Sequence, residues 1–480
     1  MMGKRQTTEP KLFYTQLNLA DRVGPRNPLR AIASAVDFGW IRQEVTGLYG
    51  INGNASVDPI VILKLYFLLF FENVPSARLL LERLPERLDW LWFCGYDLDS
   101  ELPDHSVLSK ARRRWGRAVF AQFFRRVLGQ CLAEGLVDGS VLHVDGSLIS
   151  ANASKDSVGP RLELLGGELF DRLEEQEEEP DRDQDDSPPS KVSSTDPDAR
   201  FRRKNGKLTF GYQEVRAVDD KHGIITASVT VDAAKEESHQ MEPVLQQHQE
   251  HVGSPVQTVV ADKKFGTGEN YQQMRQANQR PCIPHAKRTV HRGRIGADQF
   301  TYLPKDDCYL CPQGQALSYS SYSRSKRAHL YKAPAKVCRA CPLRSSCAGC
   351  RGRILWRHQD QDAIEWADGL WSRDHRRRLM RRRKHVVEGS FSDATNHHGY
   401  KRARWRGLES VTEQNLLIAA IQNVRKLVRY ARKRPPALVM RLYQAVNSTL
   451  LSLFRHWDCL RRHRQFVAGG WTLAKIPSAL

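Results

Sequence analysis

The chain has 480 residues, of which 40% are hydrophobic, and its 74 lysine and arginine residues against 54 acids give a formal net charge of +20. This length predicts two or three domains. The clustered positive charge favours a polyanionic partner, because Lys and Arg neutralise phosphates and release counterions. The longest apolar run, residues 61–71, is too short to cross a bilayer, and no apolar signal region opens the sequence. We therefore expect a cytoplasmic protein with no membrane partner.

Residues 1–135 are expected to form a helical N-terminal domain. Asp58-Pro59 is a typical helix start, and the helix that follows is apolar nearly all round, which predicts burial. A later capped segment ends in the basic run 112–114. Such a helix pair is compatible with a DNA-binding helix-turn-helix, and equally with a packing helix that has a basic solvent face.

Between residues 136 and 285 the pattern changes to strands interspersed with helices, which predicts a mixed α/β layer. An acid-rich interruption at 163–198 has no apolar pattern, so we expect a disordered loop there. DNA mimicry that shields a basic site is the alternative for this loop. The predicted strands are 141–149, 208–218, 223–231 and 256–261, and the predicted helices are 238–249 and 269–278.

Residues 286–370 are expected to be a loop-rich insertion. Six of the ten cysteines lie between Cys308 and Cys350, arranged as three CxxC pairs. In a large, non-secreted chain this crowding favours metal over disulfides, and structural zinc prefers four thiolates. Reduced thiols without metal are the alternative. After the insertion we expect helices over 371–435 and a basic tail over 436–480.

Three isolated acids stand out in this basic chain. Asp145 closes a strand-like run, Asp262 closes another, and Glu388 lies in a basic, helix-like stretch. Carboxylates at rigid positions are what a two-metal phosphoryl-transfer site needs, since magnesium prefers oxygen ligands. Each acid also has an ordinary interpretation, as a turn former, a cap or an ion-pair partner.

Five segments together resemble the DDE transposases of bacterial insertion sequences, and the similarity runs from about residue 15 to about residue 430. Residues 143–153 (HVDGSLISANA) resemble the family's first-aspartate strand, and 195–200 (TDPDAR) resemble the approach to the second strand. Residues 260–266 (VADKKFG) resemble the second-aspartate motif. Residues 387–391 (VEGSF) and 403–408 (ARWRGL) resemble the glutamate helix and its basic continuation.

The resemblance implies a ribonuclease-H-like core in which Asp145, Asp262 and Glu388 are catalytic and bind two Mg²⁺ ions, with Mn²⁺ as an alternative. Water would attack a phosphodiester at the element end, and the freed 3′-hydroxyl would then attack target DNA. The implied partner is double-stranded DNA, both inverted repeats and target. The family works as homodimers or higher assemblies on paired ends, and a nucleoid-associated location in the cytoplasm follows.

The resemblance also implies DNA contacts and zinc ligands. Many relatives carry Tyr, Arg and Lys near the glutamate, where this chain has Arg381, Lys384 and Thr395. Because threonine has no charge, Lys401 or Arg402 is expected to replace the last cation. The expected DNA-binding residues are Arg112, Arg113, Lys263, Arg381, Lys384, Lys401, Arg402, Arg404 and Arg406. The expected structural zinc ligands are Cys311, Cys338, Cys341 and Cys347, with Cys308 and Cys350 as alternates.

Two other functions stay open on sequence alone. A transposase-derived protein could bind DNA without catalysis, although the presence of all three acids argues against this. A nuclease that cuts without strand transfer has the same sequence signature. Trp405 has two interpretations as well, stacking on an unpaired base or packing in the core.

Overall fold

The computed structural model describes residues 18–50, 55–160, 191–204, 206–285, 295–347 and 352–431. The predicted basic tail and most of the predicted acidic loop lie outside these ranges. The chain divides into two compact units, Met1–Lys426 and Leu427–Leu480, and only the last turn of one helix is described in the second unit. Among the described helices, none is long and apolar enough to cross a membrane.

The N-terminal part is helical, as the sequence predicts. The Asp58 side chain accepts a hydrogen bond from the amide of Ile60 and so caps α4, whose residues are buried on nearly every side. Helix α7 is kinked at Gly116, which has a φ of 63°. The helices are α1 (Leu19–Arg22), α2 (Pro28–Ala35), α3 (Ile41–Val45), α4 (Pro59–Phe71), α5 (Ala77–Arg83), α6 (Leu88–Cys94) and α7 (Ser106–Ala133).

A six-stranded mixed sheet forms the centre of the molecule, in the order β4-β5-β1-β7-β8, with β6 also paired to β5. Strands β1, β4, β5 and β6 are antiparallel neighbours, whereas β7 and β8 run parallel to β1. This is the ribonuclease-H-like arrangement, and the predicted α/β class is confirmed. The strands are β1 (Val141–Ser150), β2 (Val158–Pro160), β3 (Lys191–Ser193), β4 (Arg200–Lys204), β5 (Lys207–Asp219), β6 (Ile225–Asp232), β7 (Thr258–Val260) and β8 (Arg280–Cys282).

Residues 191–198, at the end of the predicted disordered loop, are ordered. The prediction of disorder is therefore wrong for these residues. Strand β3 pairs with β2 in a separate two-stranded sheet. Asp196 is fully buried and accepts hydrogen bonds from the Tyr212 hydroxyl and the amide of Gly407. The stretch 163–190 of the predicted loop lies outside the described residues.

The cysteine-bearing insertion is a sheet rather than a loop-rich segment. Five antiparallel strands follow one another in space in the order β13-β12-β11-β10-β9. Its buried core is small, consisting of Phe300, Leu317, Tyr331, Ala333 and Leu355. The strands are β9 (Thr301–Leu303), β10 (Cys308–Leu310), β11 (Ala316–Ser323), β12 (Ala328–Lys332) and β13 (Ile354–His358).

The remaining helices pack on the central sheet and on the insertion. Helix α8 covers β6, and a continuous helical stretch made of α13, a π-helical turn and α14 crosses the sheet beside β1 and β5. The helices are α8 (Met241–Val252), α9 (Gly268–Gln276), α10 (Ala335–Arg339), α11 (Arg344–Cys347), α12 (Gln361–Gly369), α13 (Arg373–Arg383), α14 (Gly389–His398) and α15 (Leu408–Ala431).

Candidate active site

Asp145 lies in the middle of β1, not at a strand end as the sequence suggested. It faces Arg216 of β5 in the antiparallel register. Its side chain is 16% exposed, and one carboxylate oxygen accepts a hydrogen bond from the Gly146 amide at 2.9 Å. Burial raises the pKa of Asp145 to about 6, a shift that Arg383 opposes and that the nearby Asp262 and Glu237 reinforce. A second carboxylate therefore lies close to the first.

Asp262 follows β7, which runs parallel to β1. The pair His143 and Val260 is in register, so two residues further along each chain Asp145 and Asp262 reach the same level of the sheet. Asp262 caps a short 3₁₀ turn by accepting a hydrogen bond from the Lys264 amide at 2.9 Å. This cap fixes the carboxylate beside β1.

Glu388 is the last residue of a π-helical turn, Lys384–Glu388, between α13 and α14. Val386 and Val387 of this turn are buried against the sheet, whereas the Glu388 side chain is 45% exposed. π-turns inside α-helices are rare and occur frequently at functional sites, because the extra residue redirects the side chains that follow.

Arg383 joins two of the three acids. Its guanidinium lies 3.2 Å from the Asp145 carboxylate and 2.9 Å from that of Glu388, and the side chain is only 7% exposed. A buried cation thus lies between the strand aspartate and the helix glutamate. The sequence did not single out Arg383, because it is one of many arginines in this helix and its burial depends on tertiary packing.

Arg216 fixes the glutamate-bearing helix to the sheet. Its guanidinium donates to Glu214 at 2.7 Å and, across to the helices, to Gln422 at 2.9 Å and Ser390 at 3.3 Å. Since Ser390 is two residues beyond Glu388 and Arg216 faces Asp145, this contact couples the positions of the two acids.

A fourth acid, which the sequence did not single out, lies beside Asp145. Glu237 is 2% exposed and hydrogen-bonds through one oxygen to the Lys264 ammonium at 2.7 Å. Its other oxygen lies against Gly146 so closely that a Cβ there would come within 2.2 Å of it. A larger residue after Asp145 would displace the Glu237 carboxylate, so glycine at this position leaves room for it.

Comparison with protein-family models identifies two regions of the chain. Residues 17–114 match the model described as Transposase domain (DUF772), and residues 310–428 match the model described as Transposase DDE domain. Both matches are to transposase models, and together they support a DDE transposase. The second match contains Glu388, whereas Asp145 and Asp262 lie between the two matched regions.

Two solved structures show weak likeness to this transposase. A piggyBac transposase synaptic complex with hairpin DNA has a TM-score of 0.30 at 9% identity, over 84% of this chain and 80% of that chain. The Mos1 strand transfer complex has a TM-score of 0.16 at 10% identity, over 75% and 85% of the two chains. A comparison with curated proteins finds no match. The similarity to DDE transposases therefore rests on the two domain matches.

The four carboxylates do not yet form a metal site. Within the described ranges, no three His, Cys, Asp or Glu side chains form a group that could hold a metal ion as they stand. The donors nevertheless suit magnesium, which takes oxygen ligands and keeps several waters. Asp145 and Glu388 already hold one cation between them, the Arg383 guanidinium.

Two of the predicted DNA-binding arginines of the transposase are used inside the protein. Arg112 of α7 pairs with Glu413 of α15 and lies 4.6 Å from the Trp405 ring centroid. Arg404 donates to the Leu69 carbonyl at 2.8 Å and lies over Phe70. These internal contacts favour a structural role for both guanidiniums, and DNA contact by either one stays a prediction.

Seven other predicted DNA-binding residues are exposed: Arg113, Lys263, Arg381, Lys384, Lys401, Arg402 and Arg406. Lys401 donates to the Ser147 hydroxyl of β1 at 2.6 Å, which brings its ammonium to the sheet that carries Asp145. Thr395 donates to the Phe391 carbonyl and supplies no charge. Trp405 makes edge contacts with Tyr66 and Phe70, which favours core packing over base stacking.

The four predicted zinc ligands lie near one another. Cys311, Cys338 and Cys347 pack on the small core of the insertion, and burial raises the pKa of Cys347, with contributions from Cys338, Cys311 and Cys341. The described thiols do not form a group with metal-binding geometry. Of the two alternates, Cys308 lies on β10 and Cys350 lies outside the described residues.

Proposed function

We propose that this transposase cuts DNA at the ends of an insertion sequence and joins the freed 3′-hydroxyl to target DNA, in a reaction that depends on divalent metal ions. The observation that supports the proposal is that Arg383 bridges Asp145 and Glu388, while β7, which is parallel to β1, is followed by Asp262 at the level of Asp145. One acid comes from a central strand, one follows the parallel neighbour of that strand, and one lies on the helical stretch that crosses the sheet.

Asp145, Asp262 and Glu388 are the residues that would hold Mg²⁺ or Mn²⁺. Bound divalent ions supply charge stabilisation to the attacking and leaving oxygens of a phosphodiester. The protein's own part is positioning. β1 and β7 set the two aspartates at one level, and Arg216 fixes the glutamate helix against the same sheet. Arg383, which lies between Asp145 and Glu388, would be a donor for phosphate at the same site.

The test uses a labelled inverted-repeat end, a target plasmid and Mg²⁺. We expect Asp145→Asn, Asp262→Asn and Glu388→Gln each to lower cleavage by about 100-fold or more, because each removes charge stabilisation at the reacting phosphate. Glu250→Gln, on the exposed face of α8, is the matched control and should retain activity. Full activity in any of the three acid variants contradicts the proposal.

The same assay separates the two competing functions. Cleavage without joined products would identify a nuclease that does not transfer strands. Binding to the labelled end with neither product would identify a DNA-binding protein without catalysis.

Because an element has two ends, we further propose that the transposase acts as a homodimer or larger assembly. Mass photometry with paired ends tests this, and a monomer on each DNA would contradict it.

We also propose that Cys311, Cys338, Cys341 and Cys347 bind one structural zinc ion. The proximity of the four thiols and the small core of the surrounding sheet support this, since metal binding stabilises domains with little core. Metal analysis of freshly purified protein should find one zinc per chain, absent from Cys338→Ser and retained in Cys308→Ser. Protein without zinc contradicts the proposal.

A further inference from the structure

Glu237 is a buried carboxylate that the three-acid scheme does not use. It lies between β6 and α8 with a side chain that is 3% exposed. The oxygen against Gly146 has no hydrogen-bond partner among the residues that the structure describes. Burying a charged group without full compensation costs free energy. This position next to Asp145 therefore calls for a functional explanation.

Glu237 holds a lysine at the edge of the site. Its second oxygen accepts from the Lys264 ammonium at 2.7 Å, and Lys264 is two residues beyond Asp262. Lys204, at the end of β4, interacts with both Lys264 and Glu237. Burial lowers the pKa of Lys204, and the neighbouring Lys264 contributes in the same direction against the opposing effect of Glu237. Glu237 thus contacts the Lys264 ammonium directly, and Lys204 lies within electrostatic range of both groups.

A third ammonium group lies close to this pair. Lys401, which hydrogen-bonds to Ser147 of β1, interacts electrostatically with Lys204 and Asp145. Like charges at this range repel each other. Their approach is favourable when an anion joins them, and a phosphate group is the anion that lysine ammoniums bind in DNA complexes.

We propose that Lys204 and Lys264 bind a backbone phosphate of the DNA strand that enters beside Asp145, and that Glu237 is the residue that positions them. The inference rests on the proposed function and names a DNA contact of that same site. Lys264 replaces Lys263 as the functional lysine of the second-aspartate motif, because Lys263 points to solvent whereas Lys264 reaches Glu237. The ligand is a phosphodiester, so base sequence does not affect this contact.

The experiment measures the affinity of wild type and variants for duplex DNA in EDTA over a range of salt concentrations. Without divalent metal no turnover occurs, so binding is separated from catalysis. Lys264→Gln should lower the slope of log affinity against log salt by about 0.9 for each phosphate that the variant no longer neutralises. The double variant Lys204→Gln, Lys264→Gln should lower the slope at least as much. The decrease should be the same for element ends and for unrelated duplexes. Lys264→Arg keeps the charge and should keep the slope.

Lys221→Gln is the matched control. Lys221 is exposed and donates to the Gly135 carbonyl, and its removal should leave the slope unchanged. An unchanged slope in the double variant overturns the phosphate site. If the same variant cleaves DNA in Mg²⁺ as wild type does, the proposed function nevertheless stands. Circular dichroism confirms folding of each variant.

Glu237→Gln tests the positioning role separately. If Glu237 only repels phosphate, removing its charge tightens DNA binding. If it holds the lysine pair in place, the neutral amide weakens binding, and we expect this second outcome. Tighter binding of Glu237→Gln overturns the positioning role.

Discussion

Two arginine–glutamate pairs connect helices to other parts of the chain, and they differ in how deeply they are buried and in how many partners the arginine has. In the central sheet, Arg216 and Glu214 are both fully buried and lie 2.7 Å apart. Arg216 also contacts Gln422 and Ser390, and its guanidinium lies within 4.9 Å of the Phe391 and Tyr400 ring centroids.

The second pair joins α7 of the helical region to α15. Arg112 and Glu413 are 3.3 Å apart, with side chains 18% and 5% exposed. Arg112 hydrogen-bonds to Ser410 and lies over one ring, that of Trp405. Burial raises the pKa of Glu413 to about 7, and the opposing effect of Arg112 does not offset it.

The difference shows that burial alone does not determine how rigidly an ion pair connects two elements or how its strength depends on pH. Many partners fix Arg216 in one geometry, and this geometry connects the strand beside Asp145 to the helix that carries Glu388. Because Glu413 has few partners that offset its burial, its raised pKa of about 7 leaves it partly protonated at physiological pH. The first pair is thus a rigid support for the site, and the second is a junction whose strength depends on pH.

Arg216→Met should have the largest effect on stability. It leaves Glu214 buried without its cation, and breaking a buried pair costs about 3–5 kcal/mol. Urea denaturation followed by circular dichroism measures the decrease, and cleavage should fall because the glutamate helix loses its anchor. Arg203→Met, on an exposed position of β4, is the control. A decrease below about 1 kcal/mol, as for an exposed pair, would remove the distinction between the two junctions.

Glu413→Gln should change stability in a way that depends on pH. The pKa of Glu413 rises from 4.5 in the unfolded chain to about 7 in the folded protein. The stability that protonated Glu413 contributes is therefore fully present below pH 4.5 and is lost as pH rises through 7. Glutamine mimics the protonated group, so the variant should match wild type near pH 4.5 and exceed it by up to about 3 kcal/mol at pH 8.5.

Thermal melting at several pH values measures this difference. Glu409→Gln, exposed one turn earlier on the same helix, should show no comparable pH dependence. Equal stabilities of Glu413→Gln and wild type at high pH would show that Arg112 compensates the charge of Glu413, and would contradict the expected pH dependence.

The sequence predicted the parts of this fold whose signals are local. The apolar α4 and the long strands β5 and β6 follow from patterning. The short strands β4 and β8 were missed, since three to five residues rich in charge or proline carry no clear alternation. The insertion was interpreted as loops because β11 (ALSYSSYS) buries a single side chain, that of Leu317.

In the candidate site, too, the residues with local sequence signals could be predicted and those that depend on tertiary contacts could not. Asp145, Asp262 and Glu388 could be selected from motifs, and their assignment as catalytic residues stays a prediction. Glu237 and Arg383 could not be selected, because each depends on neighbours that lie far away in sequence and meet only in the folded chain. The basic run 112–114 suggested DNA contact, whereas Arg112 faces inward to pair with Glu413.

Arg112→Lys should have the smallest effect on stability. Comparison with Arg216→Lys shows whether the number of partners of the arginine matters. Lysine keeps the charge beside Glu413 but cannot reproduce the planar packing on Trp405 or the geometry of the Ser410 hydrogen bond. One cation–π interaction contributes on the order of 1 kcal/mol, so urea denaturation should show a decrease of about that size. Arg216→Lys should cost clearly more, because lysine cannot reach Glu214, Gln422 and Ser390 together while lying over two rings. Equal decreases at the two sites would mean that the number of partners does not set the rigidity of these junctions.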